Sequence, residues 1–234
     1  MNPINQDLQS AYGGAFGVAS ATARQRVLRN TYMLLAISMI PTVLGAWIGV
    51  TTGITRMMSP GIGLVVFLVG AFGFMFAIEK TKNSSVGVAV LLAFTFFMGL
   101  MLSRLLSAIL GFSNGASLIM AAFGGTAIIF TGMASLASVI KRDLSGMGKF
   151  LFIGALLMLV AGLINFFLQS SAMMLTLSVL CVGLFSAYIL YDLKQVIDGG
   201  ETNYISATLA VYLDVYNVFQ SLLSIFGILG GERD

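Results

Sequence analysis

The stretch Ile205-Ser-Ala-Thr-Leu-Ala-Val-Tyr-Leu-Asp-Val-Tyr-Asn-Val-Phe-Gln-Ser-Leu-Leu-Ser-Ile-Phe-Gly-Ile-Leu229 decides the fold. It carries one charge, Asp214, over a length that exceeds the roughly 20 apolar residues an α-helix needs to cross a bilayer. An ionised Asp near the centre of such a helix costs about 2.5–3.5 kcal/mol on insertion scales, so its presence asks for a role. Asp214, Asn217, Ser221 and Ser224 follow i, i+3, i+7, i+10 and so share one helical face. A polar stripe of this kind turns toward other helices or water. One use is interhelical hydrogen bonding that locks a bundle; the other is a functional site, which requires a partner for Asp214.

Working back from this stretch, six further apolar runs lie at about 32–50, 61–78, 86–103, 116–140, 150–168 and 172–191. Hydrophobic residues make up 58% of the 234, and charged residues only 9%, against about 25% charge in soluble domains. The mean hydropathy of +0.99 agrees. The chain therefore reads as an all-α polytopic membrane protein: a seven-helix transmembrane domain over 31–230, a polar cytoplasmic tail with a basic anchor over 1–30, and a short tail over 231–234. Residues 1–23 have no basic segment ahead of an apolar one and read as a retained, disordered tail rather than a cleavable signal. Pro60 suits the first turn of the second span, Pro41 predicts a kink in the first, and Gly199-Gly200 closes the sixth.

Composition also removes chemistry. There is no histidine, so imidazole triads, metal sites and pH switches are absent. The single cysteine, Cys181, allows no intrachain disulfide. A net charge of +3, spread among loops, is no nucleic-acid footprint. Nine basic residues (Arg24, Arg26, Arg29, Lys80, Lys82, Lys141, Arg142, Lys149, Lys194) fall on the side of the N-terminus and three (Arg56, Arg104, Arg233) on the other. That asymmetry puts the N-terminus in the cytoplasm. Seven spans send the C-terminus to the far side; a re-entrant last run would return it.

Asp192, in Ile189-Leu-Tyr-Asp-Leu193 at the end of the sixth run, is the natural partner for Asp214. The two meet only if Asp192 tucks inward; otherwise it is an interfacial residue. Lys80 is the nearest cation for the pair, or else a membrane anchor. Glu79, Lys82, Asp198, Glu201 and Glu232 read as solvated loop charges, Asp143 as the N-cap of the fifth span, and Arg104 as an outward-snorkelling end. Gly124, Gly125, Thr126, Thr131, Gly132, Ser135 and Ser138 read as close helix packing along the fourth span.

Val211-Tyr-Leu-Asp-Val-Tyr-Asn-Val-Phe219, Ile189-Leu-Tyr-Asp-Leu193 and Lys141-Arg-Asp-Leu-Ser145 resemble the transmembrane Bax inhibitor motif family. Gly199-Gly-Glu-Thr-Asn-Tyr-Ile-Ser-Ala-Thr208 and Arg29-Asn-Thr-Tyr32 are similar to its YccA-like bacterial branch, and the resemblance spans residues 24–229. It implies a bundle with the last helix central, wrapped by the other six. It implies an aspartate pair, here Asp192 and Asp214, controlling a pH-sensitive calcium leak, with a basic gate at Lys80 or Lys82. It also implies a link to the membrane-anchored ATP-dependent protease FtsH, whose action such proteins modulate in the bacterial inner membrane.

Three functions follow as expectations. The first is a calcium leak channel whose carboxylate pair cannot fully ionise cheaply and so shares a proton; calcium, a hard cation that prefers oxygen ligands, suits the pair. The second is a modulator of FtsH that transports nothing. The third is an intramembrane aspartyl protease. Against the last, Tyr-Leu-Asp stands at 212–214 where those enzymes have Gly-x-Gly-Asp, and no proline follows Pro60. The reading is therefore of a protein that is not an enzyme.

Overall fold

The computed structural model describes residues 3–232, with side chains from residue 22 onward. Its helices are α1 (Pro3–Thr52), α2 (Ile54–Met57), α3 (Pro60–Thr81), α4 (Ser85–Ile109), α5 (Gly115–Val139), α6 (Met147–Leu168), α7 (Ser171–Asp198) and α8 (Tyr204–Gly230). Seven are long and apolar enough to cross a membrane, α1 through its Thr22–Thr52 part; α2 is one turn between the first two. The expected tail over 1–30 falls mostly outside the described side chains, though α1 is helical from Pro3. Residues 1, 2, 233 and 234 lie outside the described residues.

Local chemistry fixes the ends of these spans. Pro60 opens α3 behind Ser59, whose Oγ accepts from the Ile62 N–H at 3.4 Å. Asn203 caps α8, its Oδ1 accepting from the N–H groups of Ile205 (2.9 Å) and Ser206 (3.1 Å). Gly199 ends α7 at φ 85°. In that left-handed conformation its own N–H bonds the Val196 carbonyl and that of Gly200 bonds the Gln195 carbonyl. α1 continues as helix through Pro41.

α8 is the centre of the bundle and packs against α7, α5, α1, α4 and α3, while α6 lies outside on α7. The most apolar stretch of α8 is 44% buried, against 6% for α3, which separates axis from periphery. α8 is continuous over 27 residues, so the last run is a full span rather than a re-entrant one. Its far end is tied to the α4–α5 connection: Asn114 Nδ2 donates to the Gly230 carbonyl at 2.6 Å and Ser113 N–H to the Glu232 carbonyl at 3.1 Å.

Lipid tails are as apolar as leucine, so close packing and hydrogen bonds hold such a bundle rather than apolar burial. The closest approach is between α1 and α4. A Cβ on Gly45 would overlap the Phe96 carbonyl, one on Gly99 the Thr42 carbonyl, and one on Gly49 the Ser103 hydroxyl. This corrects the expectation for the fourth span, α5. A Cβ on Gly124 or Gly132 would meet nothing within 4 Å, and one on Gly125 only a Leu222 methyl. Small residues mark a close contact only where a second helix presents backbone to them, which α5 lacks at these positions.

Candidate functional site

Asp192 and Asp214 meet between α7 and α8, their carboxyls within hydrogen-bonding reach of each other. The encounter depends on α7 running past its apolar run. Polar residues follow Asp192, but Leu193 and Val196 are buried and Lys194 Nζ pairs with Asp198 Oδ1 at 2.8 Å, so the helix persists to Asp198. Asp192 thus stands six residues, about 9 Å, inside the end of α7. Asp214 stands ten residues, about 15 Å, inside the start of α8. Asp214 is 4% exposed and its Oδ2 has no hydrogen-bond partner. Two carboxyls can hydrogen-bond only if a proton lies between them, because a carboxylate is solely an acceptor.

Of the rest of the stripe, Ser221 lies near Cys181 of α7; Ser221 and Ser224 are buried, and Asn217 Nδ2 donates to the Leu213 carbonyl within its own helix at 2.7 Å. Tyr188 lies within electrostatic range of both aspartates. The sequence reading overlooked it, although Cys181, Tyr188 and Asp192 recur at i, i+7, i+11 on one face of α7.

The expected gate lysines are engaged elsewhere. Lys80 is exposed, its Nζ 5.4 Å from the centroid of the Phe76 ring. Lys82 Nζ pairs with Glu79 Oε1 at 2.6 Å, and this hydrogen bond holds the Lys82 ammonium above its ordinary pKa. The charge acting on Asp192 besides Asp214 is Glu201, which also acts on Lys82. Glu201 stays in the connection between α7 and α8, as read from the sequence, and its charge is felt by both Asp192 and Lys82. Its Oε1 accepts from the Asn203 N–H at 2.7 Å, and Asn203 Nδ2 donates to the Lys82 carbonyl and to Asn83 Oδ1, both at 3.0 Å. Lys194, counted with the loop charges from sequence, is buried in the last turns of α7.

The opposite face of α8 is polar too, and the sequence reading missed it. Tyr212 Oη shares a 2.9 Å hydrogen bond with Thr42 Oγ1 and donates to the Thr95 carbonyl at 3.4 Å; Tyr216 Oη donates to the Met98 carbonyl at 3.3 Å. These bonds fasten α8 to the α1–α4 crossing, so both faces of the helix that carries Asp214 are held.

Asp143 does not cap a helix. α6 starts at Met147 with Gly146 before it, and Asp143 instead accepts from the Ser145 N–H (2.8 Å) and hydroxyl (3.0 Å). Those bonds, the backbone one first, hold its carboxyl below the usual carboxylate range. Leu144 is buried, and the loop walls a polar cavity of about 310 Å³ with Tyr191, Lys194 and Asp198.

As a calcium site the pair offers at most four carboxylate oxygens where calcium takes about six to eight. Among the described residues no three His, Cys, Asp or Glu side chains gather for a metal.

Residues 24–231 match the family described as inhibitor of apoptosis-promoting Bax1. The chain is 38% identical over 208 residues to the modulator of FtsH protease YccA of Escherichia coli strain K12, covering 89% of this chain and 92% of that protein. The inner membrane protein YccA of Escherichia coli O6:H1 matches to the same extent. An uncharacterized protein of Pseudomonas aeruginosa is 40% identical over 217 residues, covering 91% of this chain and 96% of its own.

Proposed function

The chain belongs to the Bax inhibitor family, and from that premise we propose that it modulates a membrane-anchored ATP-dependent protease of the FtsH type in the bacterial inner membrane. The observation that carries this is the 38% identity, along nearly the whole length of both chains, to a protein named as a modulator of FtsH. The fold supports it. A modulator acting within the bilayer needs lateral surface, and α3 and α6 are the spans least enclosed by the bundle after α8, α1 and α4 take its interior. The test is reconstitution of FtsH with a membrane substrate, with and without this protein. Co-purification together with a slowed or redirected degradation supports the reading; unchanged proteolysis and no association refute it.

A second reading, a pH-sensitive cation leak, is favoured by the buried Asp192–Asp214 contact with its unpartnered Asp214 Oδ2. With one proton between them the carboxyls hold α7 to α8; with none, two like charges face each other and the seam loosens toward the N-terminal side, placed in the cytoplasm by the basic asymmetry. Calcium flux into proteoliposomes across pH tests this. A flux whose pH profile survives both Asp192→Asn and Asp214→Asn refutes it. In neither reading does the pair act as a protease dyad.

A further inference from the structure

Hydrocarbon offers no hydrogen bond, so a polar side chain within a span is either partnered or wet. Outside α8 partnering is local. The hydroxyls of Thr31, Ser38, Thr95, Thr126, Ser178 and Ser186 each donate to a carbonyl three or four residues back in their own helix. Ser107, near the far end of α4, is the buried exception. α8 behaves differently. Ser206 Oγ and Asp214 Oδ2 are buried without a partner. Gln220 and Ser224 make no side-chain hydrogen bond to any described residue. Asn217 donates from Nδ2 to the Leu213 carbonyl at 2.7 Å, which leaves its Oδ1 as the spare group.

These five side chains form a column. At 3.6 residues per turn they fall within about 120° of the circumference of α8. From Ser206 to Ser224 the column rises about 27 Å, most of the hydrocarbon thickness, with Asp214 near its middle. The other sides of α8 are taken. Tyr212 and Tyr216 fasten it to α1 and α4, Leu222 lies against Gly125 of α5, and Asp214 meets Asp192 of α7. Of the helices that touch α8, this leaves α3 for the flank with Ser206, Asn217, Gln220 and Ser224. α3 covers that flank thinly, since only Ile78 among its residues is buried. An apolar groove between α1 and α5, lined by Phe123 and Gly124, reaches α8 from another side, at Tyr212, Val215, Tyr216 and Phe219.

What the column presents selects its occupant. Asp214 and Ser224 are 4% and 5% exposed, too enclosed for a partner's helix to reach. A lipid tail would leave all five groups unbonded. An anion would face the Asp214 carboxyl, and α8 has no Lys or Arg to balance it. Water bonds groups of this kind, and a hard cation takes oxygen ligands. The orientation of Asn217 agrees, because its bond to the Leu213 carbonyl turns the amide oxygen, not the nitrogen, outward.

We propose that these five side chains line a narrow wet path for a cation along α8, with the Asn217 and Gln220 amide oxygens next to Asp214 on its far side. The proposal rests on the cation-leak reading and adds to it the route and a path-lining residue, Gln220, outside the aspartate pair.

The test uses silver ion, a thiol-binding cation that does not enter hydrocarbon. Cys181→Ser removes the one native thiol. Single cysteines are then placed at Ser206, Gln220 and Ser224, with controls at fully buried Val218 and at lipid-facing Phe72, which is 60% exposed. In lipid nanodiscs and chloride-free buffer, silver binding is read as protection from later alkylation of the denatured chain, by mass. The three column positions are expected to bind silver at least tenfold faster than both controls. In proteoliposomes, Gln220→Leu is expected to lower calcium flux at least tenfold, and Gln220→Glu, which keeps an oxygen there, to restore it. Column thiols no faster than the controls overturn the proposal, whatever the flux, and leave the leak reading standing. Reactive column thiols with no flux in wild type at any pH overturn the leak reading, and the path with it. Flux unchanged in Gln220→Leu overturns the assignment of Gln220.

Discussion

Replacing Gly99 by Ala adds a single methyl group at the point where α1 and α4 cross, and the structure gives that methyl no room. It would overlap the Thr42 carbonyl oxygen and lie 2.8 Å from the Thr42 carbonyl carbon and 3.0 Å from the Ala46 nitrogen. All three atoms are backbone, so no rotamer change relieves the clash and the helices must part. Overpacking of this kind costs about 1–3 kcal/mol. Parting also strains the Thr42–Tyr212 hydrogen bond at 2.9 Å, and hydrogen bonds between membrane helices average about 0.6 kcal/mol. Against this stands the gain of about 0.5–1 kcal/mol that Ala brings over Gly in a helix. The net expectation is a loss of about 1–3 kcal/mol. Gly132→Ala, with nothing within 4 Å, should collect only the helix gain and unfold later than wild type. The assay is equilibrium unfolding in mixed micelles, followed by helical circular dichroism, with wild type and both variants in parallel. If Gly99→Ala is as stable as Gly132→Ala, the assignment of the α1–α4 crossing as the tight contact of the bundle is wrong.

Asn203→Ala should destabilise the start of α8 by about 1 kcal/mol for the lost cap, and should also free the α3–α4 connection held through the Lys82 carbonyl and Asn83; faster amide exchange at Ile205, Ser206 and Asn83 checks it. Because the Asp143 carboxyl sits below its ordinary pKa, its contribution to the 141–146 loop is complete above the usual carboxylate pKa and fades as pH falls through the lowered one. Protection of the Ser145 amide should follow that course in wild type and be weak at every pH in Asp143→Ala. Lys80→Ala and Lys82→Ala should leave any pH dependence of cation flux unchanged, since Lys80 lies over Phe76 and Lys82 is paired with Glu79; Glu201→Gln should shift it, and a flux profile displaced by the lysines alone contradicts the charge arrangement. Reporter fusions after residues 55 and 145 should report opposite sides of the membrane, residue 145 facing the cytoplasm; the same side for both contradicts the seven spans.

The spans were legible because each is a property of its own residues. A run of apolar side chains long enough to cross a bilayer fixes a helix whatever its neighbours are, and Pro60, Gly199 and Asn203 act within one turn of themselves. Asp214 was visible for the same reason, as the one charge in an apolar stretch. The place of Asp192 at the end of the sixth run already made it the natural partner, and the structure supplied how that pairing is reached. Helix α7 outlasts its apolar run because Leu193 and Val196 are buried, a fact that depends on what lies beside them.

What tertiary structure alone decided follows from the same distinction. The sequence marked small residues along α5 as close packing, but Gly124 there faces an open groove, and the backbone-to-backbone contact belongs to Gly45 and Gly99. A glycine records permission for close approach; only the neighbouring helix determines whether the approach is made. The basic residues behave likewise. From sequence Lys80, Lys82 and Lys194 are equivalent cations near one membrane face, and in the bundle one lies over a ring, one pairs at the surface, and one is buried beside Asp198. A single sequence sets the span of each helix and the cost of each buried charge. Which charges meet is set by the crossing of helices far apart in the chain, and that crossing is fixed by contacts no local pattern encodes.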